Sequence, residues 1–197
     1  MKLLVATKNR HKFEEIKSIL SELNIELICA ADIENLPDTI EDRDTIEGNS
    51  IKKAREAALF THIPAIADDT GFFVSALNDE PGVFAARYAG ENCTYADNVN
   101  KMLKNMEGIS NREARFETVV SLAFPDKEDV ITRKGIINGY LLGTQRGHSG
   151  FGYDPIFVPE GLDKTFAELS DDEKNQISHR ARAFQAILPV LKELFDK

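Results

Sequence analysis

Segments with strand-like and helix-like hydrophobic patterns alternate along this chain, and that alternation constrains its fold more than any other feature. The apolar run KLLVA predicts a buried strand, and HKFEEIKSILSEL, which follows it, carries apolar residues at helical spacing. The order is repeated by IELICA as a strand, SIKKAREAALF as a helix and PAIAD as a strand. This order of elements is typical of the α/β class.

The second half of the chain adds a different pattern. ARFETVVSLAF and DVITRKGIING have period-two alternation and predict paired antiparallel strands. We therefore predict an α/β fold with a mixed, partly antiparallel central sheet flanked by helices, and two lobes around a cleft. The glycine-rich segment 143–152 predicts a loop, and Ser170 with Glu173 forms the capping box of a last helix that we expect to kink or break at Pro189.

The length and charge of the chain exclude several classes of protein. With 197 residues and no linker or repeat, we expect one domain over residues 1–197. The net charge of -9 argues against a nucleic-acid partner, although a small phosphorylated ligand needs only a few local cations. No segment is long and apolar enough for a secretory signal or a membrane span. Cys29 and Cys93 have the spacing of neither a zinc site nor a disulfide framework. We therefore expect a cytoplasmic protein without a membrane partner.

Two adjacent carboxylates, Asp68 and Asp69, end the apolar run of IADDTG. An unpaired buried carboxylate is costly, so these side chains must reach water, pair with cations or hold a metal. Together with Glu41 from an acidic loop, they supply the oxygen ligands that Mg²⁺ prefers. The alternative is that the aspartates only begin a turn with Thr70 and Gly71.

The loop TKNRHK lies between the first predicted strand and the first predicted helix. Backbone N–H groups at a helix start attract anions, and Thr7, Asn9 and Lys12 add a hydroxyl, an amide and a positive charge. These residues predict a phosphate cradle. The alternative is that Thr7 and Asn9 cap the helix while Lys12 is solvated.

Basic residues cluster near the start of the second predicted helix. Lys52, Lys53 and Arg55 are consistent with a solvated helix face, which is the common role of such a run. If the helix flanks the acidic residues, one lysine reaches a triphosphate instead.

Two later segments carry groups that are able to contact a ligand. In SGFGYDPIF, the aromatic residues Phe151 and Tyr153 flank a glycine and precede Asp154, an arrangement that allows stacking on a base or a purely hydrophobic role.

In EKNQISHRARA, Lys174 and Ser178 lie one helical turn apart, and His179 and Arg180 follow them. Four donors in one segment favour a ligand that carries acceptors, although a lone histidine more often has a structural role.

Taken together, these segments resemble the inosine triphosphate pyrophosphatase family, whose members hydrolyse dITP, XTP and related purine nucleoside triphosphates. The resemblance extends over nearly the whole chain and rests on six segments in the family's order: TKNRHK, GNSIKKA, IADDTG, PGVFAARYAG, GFGYDPIF and EKNQISHRARA. Two positions depart from the family pattern, namely His11 in place of a glycine and Gly48 in place of a glutamate.

The resemblance implies a role for each matching residue. Glu41 and Asp69 would bind Mg²⁺, Asp69 would also act as the base for the attacking water, and Asp68 would orient that base. Lys12 and Lys53 would neutralise the triphosphate. The matching motifs assign substrate binding to Thr7, Asn9, Lys12, Thr70, Phe151, Gly152, Tyr153, Asp154, Lys174, Ser178, His179 and Arg180.

The resemblance also implies a reaction. ITP, dITP or XTP would be cleaved between the α and β phosphates, giving a monophosphate and pyrophosphate and keeping deaminated purines out of DNA and RNA. We expect donors from Lys174, His179 or the loop to recognise the base oxygen at position 6, and Arg180 to exclude the 2-amino group of guanine. A homodimer with part of its interface at PGVFAARYAG is expected, although Arg87 in that segment is also able to reach a substrate.

Two other functions fit parts of the sequence. A phosphomonoesterase with an aspartate nucleophile is suggested by DDT, but such enzymes favour two aspartates separated by one residue. A nucleotide-binding module without catalysis would keep the stacking residues and the phosphate cradle. The presence of Glu41, Asp68 and Asp69 ranks that module below the enzyme.

Overall fold

The strands of this chain are set by its apolar runs, as the hydrophobic pattern predicts. The computed structural model describes residues 2–195. The strands within this range are β1 (Lys2–Val5), β2 (Glu26–Cys29), β3 (Ala65–Val74), β4 (Pro81–Gly82), β5 (Glu113–Ala123), β6 (Ile131–Leu141) and β7 (Phe157–Pro159).

The α-helices follow the amphipathic segments. They are α1 (Arg10–Ile19), α2 (Ile46–Thr61), α3 (Tyr95–Asn105), α4 (Asp171–Ile177) and α5 (His179–Phe195) in the part of the chain that the structure describes. Short 3₁₀ turns lie at Ala30–Asp32, Ser75–Leu77, Ala85–Arg87, Asp154–Ile156 and Phe166–Glu168. None of the helices within residues 2–195 is long and apolar enough to cross a membrane.

All strands belong to one mixed sheet, which confirms the predicted fold class. The strand order is β2-β1-β3-β5-β6-β7, and β4 pairs with β3 off this path. Strand β1 pairs in parallel with β2 and with β3, whereas β3 with β4 and β6 with β7 are antiparallel pairs. Parallel pairing requires a crossover connection, and helices α1 and α2 lie in the connections β1–β2 and β2–β3.

The chain divides into two compact units. The first unit comprises Met1–Asp69, Thr118–Gly135 and Arg180–Lys197, and the second comprises Thr70–Glu117 and Ile136–His179. The first unit buries two apolar clusters, one around Ile16, Ile66 and Phe184 and the other around Leu4 and Ala54. The second unit has its own aromatic core, which includes Phe72 and Phe116. Whether both units form a single domain stays a prediction.

Two predicted boundaries are wrong. Asp68 and Asp69 do not begin a turn, because strand β3 continues through both aspartates and through Gly71 to Val74. The last helix begins at the predicted capping box of Ser170 and Glu173, but it ends at Ser178, whose extended backbone separates α4 from α5. Helix α5 then continues through Pro189 without a break.

Candidate active site

The two adjacent aspartates of β3 have different surroundings within the first unit. Successive side chains of a strand point to opposite faces, so Asp68 and Asp69 contact different groups. Both side chains are nearly inaccessible to solvent. Each carboxylate is paired with a cation, which is the arrangement that burial of a charge requires.

Asp68 lies between two positive charges. Its Oδ2 is 3.2 Å from Arg180 Nε and 3.4 Å from Lys12 Nζ. Burial alone would raise the pKa of Asp68, but the charges of Lys12 and Arg180 outweigh burial and hold that pKa well below its usual range. Asp68 is therefore ionised at neutral pH and pairs with both cations.

Asp69 forms the second group, with Lys53 and Glu41. The Lys53 ammonium of α2 lies 3.1 Å from Asp69 Oδ1 and 2.9 Å from Glu41 Oε1, so it bridges the two carboxylates. Burial raises the pKa of Asp69, and the Glu41 charge adds to this increase while Lys53 opposes it. Burial would lower the pKa of Lys53, but Asp69 and Glu41 outweigh it and raise that pKa. The group thus joins a carboxylate whose proton affinity is increased to a lysine that stays charged.

The neighbouring basic residues of α2 have other partners. Lys52 Nζ donates to the carbonyl of Ile40 and to Asp42 Oδ1 at 2.8 and 2.9 Å, and Arg55 donates to the carbonyl of Glu128. Among these three basic residues of α2, Lys53 is thus the one whose side chain pairs with Asp69.

The TKNRHK loop has a capping function in this structure. Asn9 Oδ1 accepts hydrogen bonds from the backbone N–H groups of His11 and Lys12, and Thr7 Oγ1 accepts one from Asn9. The capping alternative is therefore confirmed for Asn9, whereas a solvated Lys12 is wrong because its side chain is mostly buried against Asp68. Burial lowers the pKa of Lys12 despite the nearby Asp68. Phosphate binding by this loop stays a prediction.

Glu15, which no sequence motif predicted, also joins this charged cluster. Its carboxylate accepts a hydrogen bond from Arg180, on the side of the guanidinium away from the Nε that donates to Asp68. The spacing of Lys12 and Glu15 on α1 is a usable signal, because residues three apart lie on one helix face. Arg180 is thus buried between two carboxylates, and its predicted contact with a purine stays a prediction.

The second unit contains a compact group around Asp154. Asp154 Oδ2 accepts hydrogen bonds from Lys174 Nζ at 2.8 Å and from the Phe151 backbone N–H at 2.9 Å. Lys174 Nζ also lies 4.8 Å from the centroid of the Phe151 ring, a cation–π distance. The backbone of Gly150 lies close to the Asp154 carboxylate: a Cβ at this glycine, whose φ is +75°, would be 2.1 Å from Asp154 Oδ2. Asp154 thereby positions a lysine and an aromatic ring together.

His179 and Tyr153 also lie in this unit, but in different settings. The His179 ring stacks on Phe116 with centroids 4.5 Å apart and 11° between the planes. Tyr153 is buried in the aromatic core, where its ring stacks on Phe72 and its hydroxyl donates to the carbonyl of Ala85 at 2.9 Å. Its surroundings match the hydrophobic role left open by the sequence, whereas Phe151 is half-buried.

The remaining predicted residues occupy defined backbone positions. Thr70 follows Asp69 in β3 and is half-buried, Gly152 has a φ of +65°, and Ser178 donates its N–H to the Lys174 carbonyl at 2.9 Å. The structure therefore collects the predicted residues into one group in each unit. The first unit holds Thr7, Asn9, Lys12, Glu41, Lys53, Asp68, Asp69 and Arg180, and the second holds Thr70, Phe151, Gly152, Tyr153, Asp154, Lys174, Ser178 and His179.

The acidic residues offer a limited set of metal ligands. Among residues 2–195, no cluster of three or more His, Cys, Asp or Glu side chains has the geometry to hold a metal ion. Glu41 and Asp69 supply two carboxylates, and Asp69 Oδ2 is buried without a hydrogen-bond partner among the described groups. Mg²⁺ usually takes one or two carboxylates and completes its shell with water and phosphate oxygens, so this pair fits Mg²⁺.

Comparison with known proteins identifies the family. The Ham1 family model matches residues 3–190. A dITP/XTP pyrophosphatase of Flavobacterium johnsoniae is 47% identical over 191 residues, covering 97% of this chain and 98% of the relative. One from a Thermoanaerobacter species is 44% identical and covers 100% of both chains.

Solved structures agree with this similarity. A HAM1 protein from Coxiella burnetii has a TM-score of 0.90 and 39% identity, covering 98% of this chain and 99% of its own. The Ham1 protein of Staphylococcus aureus has a TM-score of 0.87 and 36% identity, covering 98% of this chain and 100% of its own. With a family match over nearly its whole length, this chain belongs to the Ham1 family.

Proposed function

We propose that this protein hydrolyses dITP, ITP and XTP to the nucleoside monophosphate and pyrophosphate. The observation that carries the proposal is Lys53 bridging Glu41 and Asp69, in a chain whose relatives are named dITP/XTP pyrophosphatases. Removal of deaminated purine triphosphates would keep these bases out of DNA and RNA.

The buried carboxylate of Asp69 supports a bound cation. Its Oδ1 is paired with Lys53, whereas its Oδ2 is buried without a hydrogen-bond partner among the described groups. A buried anionic oxygen is stabilised by a positive charge. Glu41 and Asp69 would hold Mg²⁺, which would supply positive charge to the phosphate oxygens and the bound water when present.

Asp69 is the group best placed to accept a proton from the attacking water. A general base works best when its pKa approaches the working pH, and burial moves the pKa of Asp69 in that direction. Asp68 stays ionised and holds Lys12 beside it. Lys12 and Lys53 would stabilise the negative charge that develops on the pyrophosphate leaving group.

The second unit carries groups suited to a 6-oxopurine. Phe151 offers a half-buried ring for stacking, and Lys174 and His179 are buried side chains with N–H donors. Hypoxanthine and xanthine present an oxygen at position 6 where adenine presents an amino group. Adenine would leave a donor unpaired, at a cost of about 1 to 3 kcal/mol, so we expect it to be disfavoured.

The experiment that tests this function is the Asp69→Asn substitution, assayed with Mg²⁺ and ITP by release of pyrophosphate. We expect turnover to be lost while ITP binding, measured by calorimetry, is retained. Asp79→Asn is a matched control, because Asp79 is a solvent-exposed aspartate paired with Arg115. A parent protein that binds ITP and releases no pyrophosphate would instead support a binding module without catalysis.

We also infer a homodimer in the cytoplasm. Phe84 is 53% exposed within PGVFAARYAG, and the Arg87 guanidinium lies over its ring at 5.2 Å. An exposed aromatic residue beside an arginine is typical of interface cores. Light scattering after size exclusion measures the mass, and Phe84→Glu is expected to halve it.

A further inference from the structure

The first turns of α2 contact two separate segments that carry acidic residues of the candidate site. The earlier of these contacts is made by Asn49, which is buried. Its Oδ1 accepts the backbone N–H of Arg43 at 3.0 Å, and its Nδ2 donates to the Arg43 carbonyl at 3.5 Å. This amide therefore holds the acidic loop at a point two residues beyond Glu41.

The next residue, Ser50, contacts the strand that carries the aspartates. Ser50 Oγ lies 3.1 Å from the carbonyl oxygen of Ala67 and 2.8 Å from Ser121 Oγ of β5. The hydroxyl has one proton, so Ser50 donates to Ala67 and accepts from Ser121. Ala67 directly precedes Asp68 and Asp69, and this hydroxyl pair is completely buried.

Lys53 lies one helical turn after Ser50 on the same helix, where its ammonium contacts both acidic groups. Its distances of 2.9 Å to Glu41 and 3.1 Å to Asp69 depend on where α2 holds the loop and the strand. We propose that Asn49 and Ser50 are positioning residues that set the separation of Glu41 and Asp69 through helix α2. The proposal rests on the proposed function, in which these two carboxylates bind the metal.

Burial of these polar groups would be costly without their hydrogen bonds. The neighbouring buried positions of α2, Ala54, Ala57 and Ala58, are all small and apolar, so alanine would fit the packing of this helix at position 50 as well. A fully satisfied buried polar pair adds directional constraint that apolar contacts do not supply. Removal of a hydrogen bond to a metal ligand typically changes metal affinity or activity by about 10-fold to 100-fold, and we expect the lower end of this range for contacts to residues beside the ligands.

The test compares Asn49→Ala and Ser50→Ala with the parent protein. Titration with Mg²⁺ alone measures metal binding without turnover, and the shift in melting temperature is its readout. We expect the Mg²⁺ concentration at half of the shift to rise by about 10-fold or more for each variant. With ITP at saturating Mg²⁺, kcat is expected to fall by about 10-fold while KM for ITP changes little, because neither side chain touches the proposed base site.

Two controls separate positioning from a general loss of stability. Ser18→Ala removes an exposed helical serine, and Val120→Ala creates a cavity beside Ser121 in the same unit. Both controls are expected to keep the parent's Mg²⁺ midpoint and kcat, although Val120→Ala lowers the melting temperature. If Ser50→Ala does not fold, Ser50→Cys keeps the shape of the side chain with a larger atom and a weaker donor, and decides the question on the same two measurements.

The outcomes distinguish the two proposals. No pyrophosphate release by the parent protein would overturn the proposed function. An active parent with unchanged Mg²⁺ midpoint and kcat in the Asn49 and Ser50 variants would overturn the positioning role. Equal changes in Val120→Ala would also overturn it, because they would trace the effect to stability alone.

Discussion

Asp68→Asn removes the anion that pairs with two buried cations in the first unit, and we expect it to destabilise the protein. Arg180 keeps Glu15 as a partner, whereas Lys12 loses the carboxylate 3.4 Å away. At an effective dielectric constant of 20, unit charges at that separation attract by about 4 to 5 kcal/mol. Relief of the Asp68 desolvation cost offsets part of this loss, so we expect the free energy of unfolding to fall by about 3 kcal/mol.

The pH dependence of this effect has a defined sign. The pKa of Asp68 is lower in the folded protein than its ordinary value of 3.8, so its stabilising contribution is complete above that value. The contribution decreases as the pH falls toward the folded-state pKa, by about 1.4 kcal/mol per pH unit. Between pH 5 and pH 3, the difference between the parent and Asp68→Asn should therefore shrink by roughly 1 kcal/mol.

Urea denaturation at pH 7.5, pH 5 and pH 3 in the presence of EDTA measures these differences without bound metal. Asp79→Asn is the matched control, because that side chain is 51% exposed in its pair with Arg115 and should cost less than about 1 kcal/mol. An Asp68→Asn effect as small as the control, or one that is constant from pH 5 to pH 3, would refute the reasoning.

Three further substitutions test other parts of the site. Lys53→Met removes a charge that lowers the pKa of Asp69, so the acidic limb of the pH profile of kcat/KM for ITP should move to higher pH. We also expect kcat to fall by about 100-fold. An acidic limb at the same pH as in the parent would contradict this electrostatic coupling. Arg180→Ala leaves Asp68 and Glu15 without that cation and should reduce stability in urea. It should also raise GTP turnover relative to ITP, and an unchanged ratio would contradict exclusion of guanine by Arg180. Phe151→Leu should raise KM for ITP by about 10-fold through loss of stacking, with kcat changed little, and an unchanged KM would place the base elsewhere.

Local patterns predicted much of the fold. The capping box of Ser170 and Glu173 is present, because its two hydrogen bonds involve residues three apart. The break near Pro189 is absent, and the helix is interrupted at Ser178 instead. Pro189 restricts only its local backbone. No residue in the ISH segment carries a strong helix-breaking signal, so helix propensity did not predict the interruption at Ser178.

The charged contacts were less predictable. Asp68 and Asp69 looked like the end of a strand because polar residues usually follow an apolar run, but ion pairs with Lys12, Arg180 and Lys53 allow them to lie inside β3. Asp68 and Arg180 are far apart in sequence, so a single sequence carries no local signal for their contact. The resemblance to a family implies roles for these residues, while their pairing depends on the tertiary fold.

Product analysis tests the central claim most directly. The purified parent protein is incubated with Mg²⁺ and, separately, with ITP, dITP, XTP, ATP or GTP, and the products are separated by chromatography. We predict a monophosphate and pyrophosphate from ITP, dITP and XTP at rates far above those for ATP and GTP. Formation of diphosphate and phosphate, or equal turnover of all five nucleotides, would contradict the proposed cleavage site or the proposed recognition of the base.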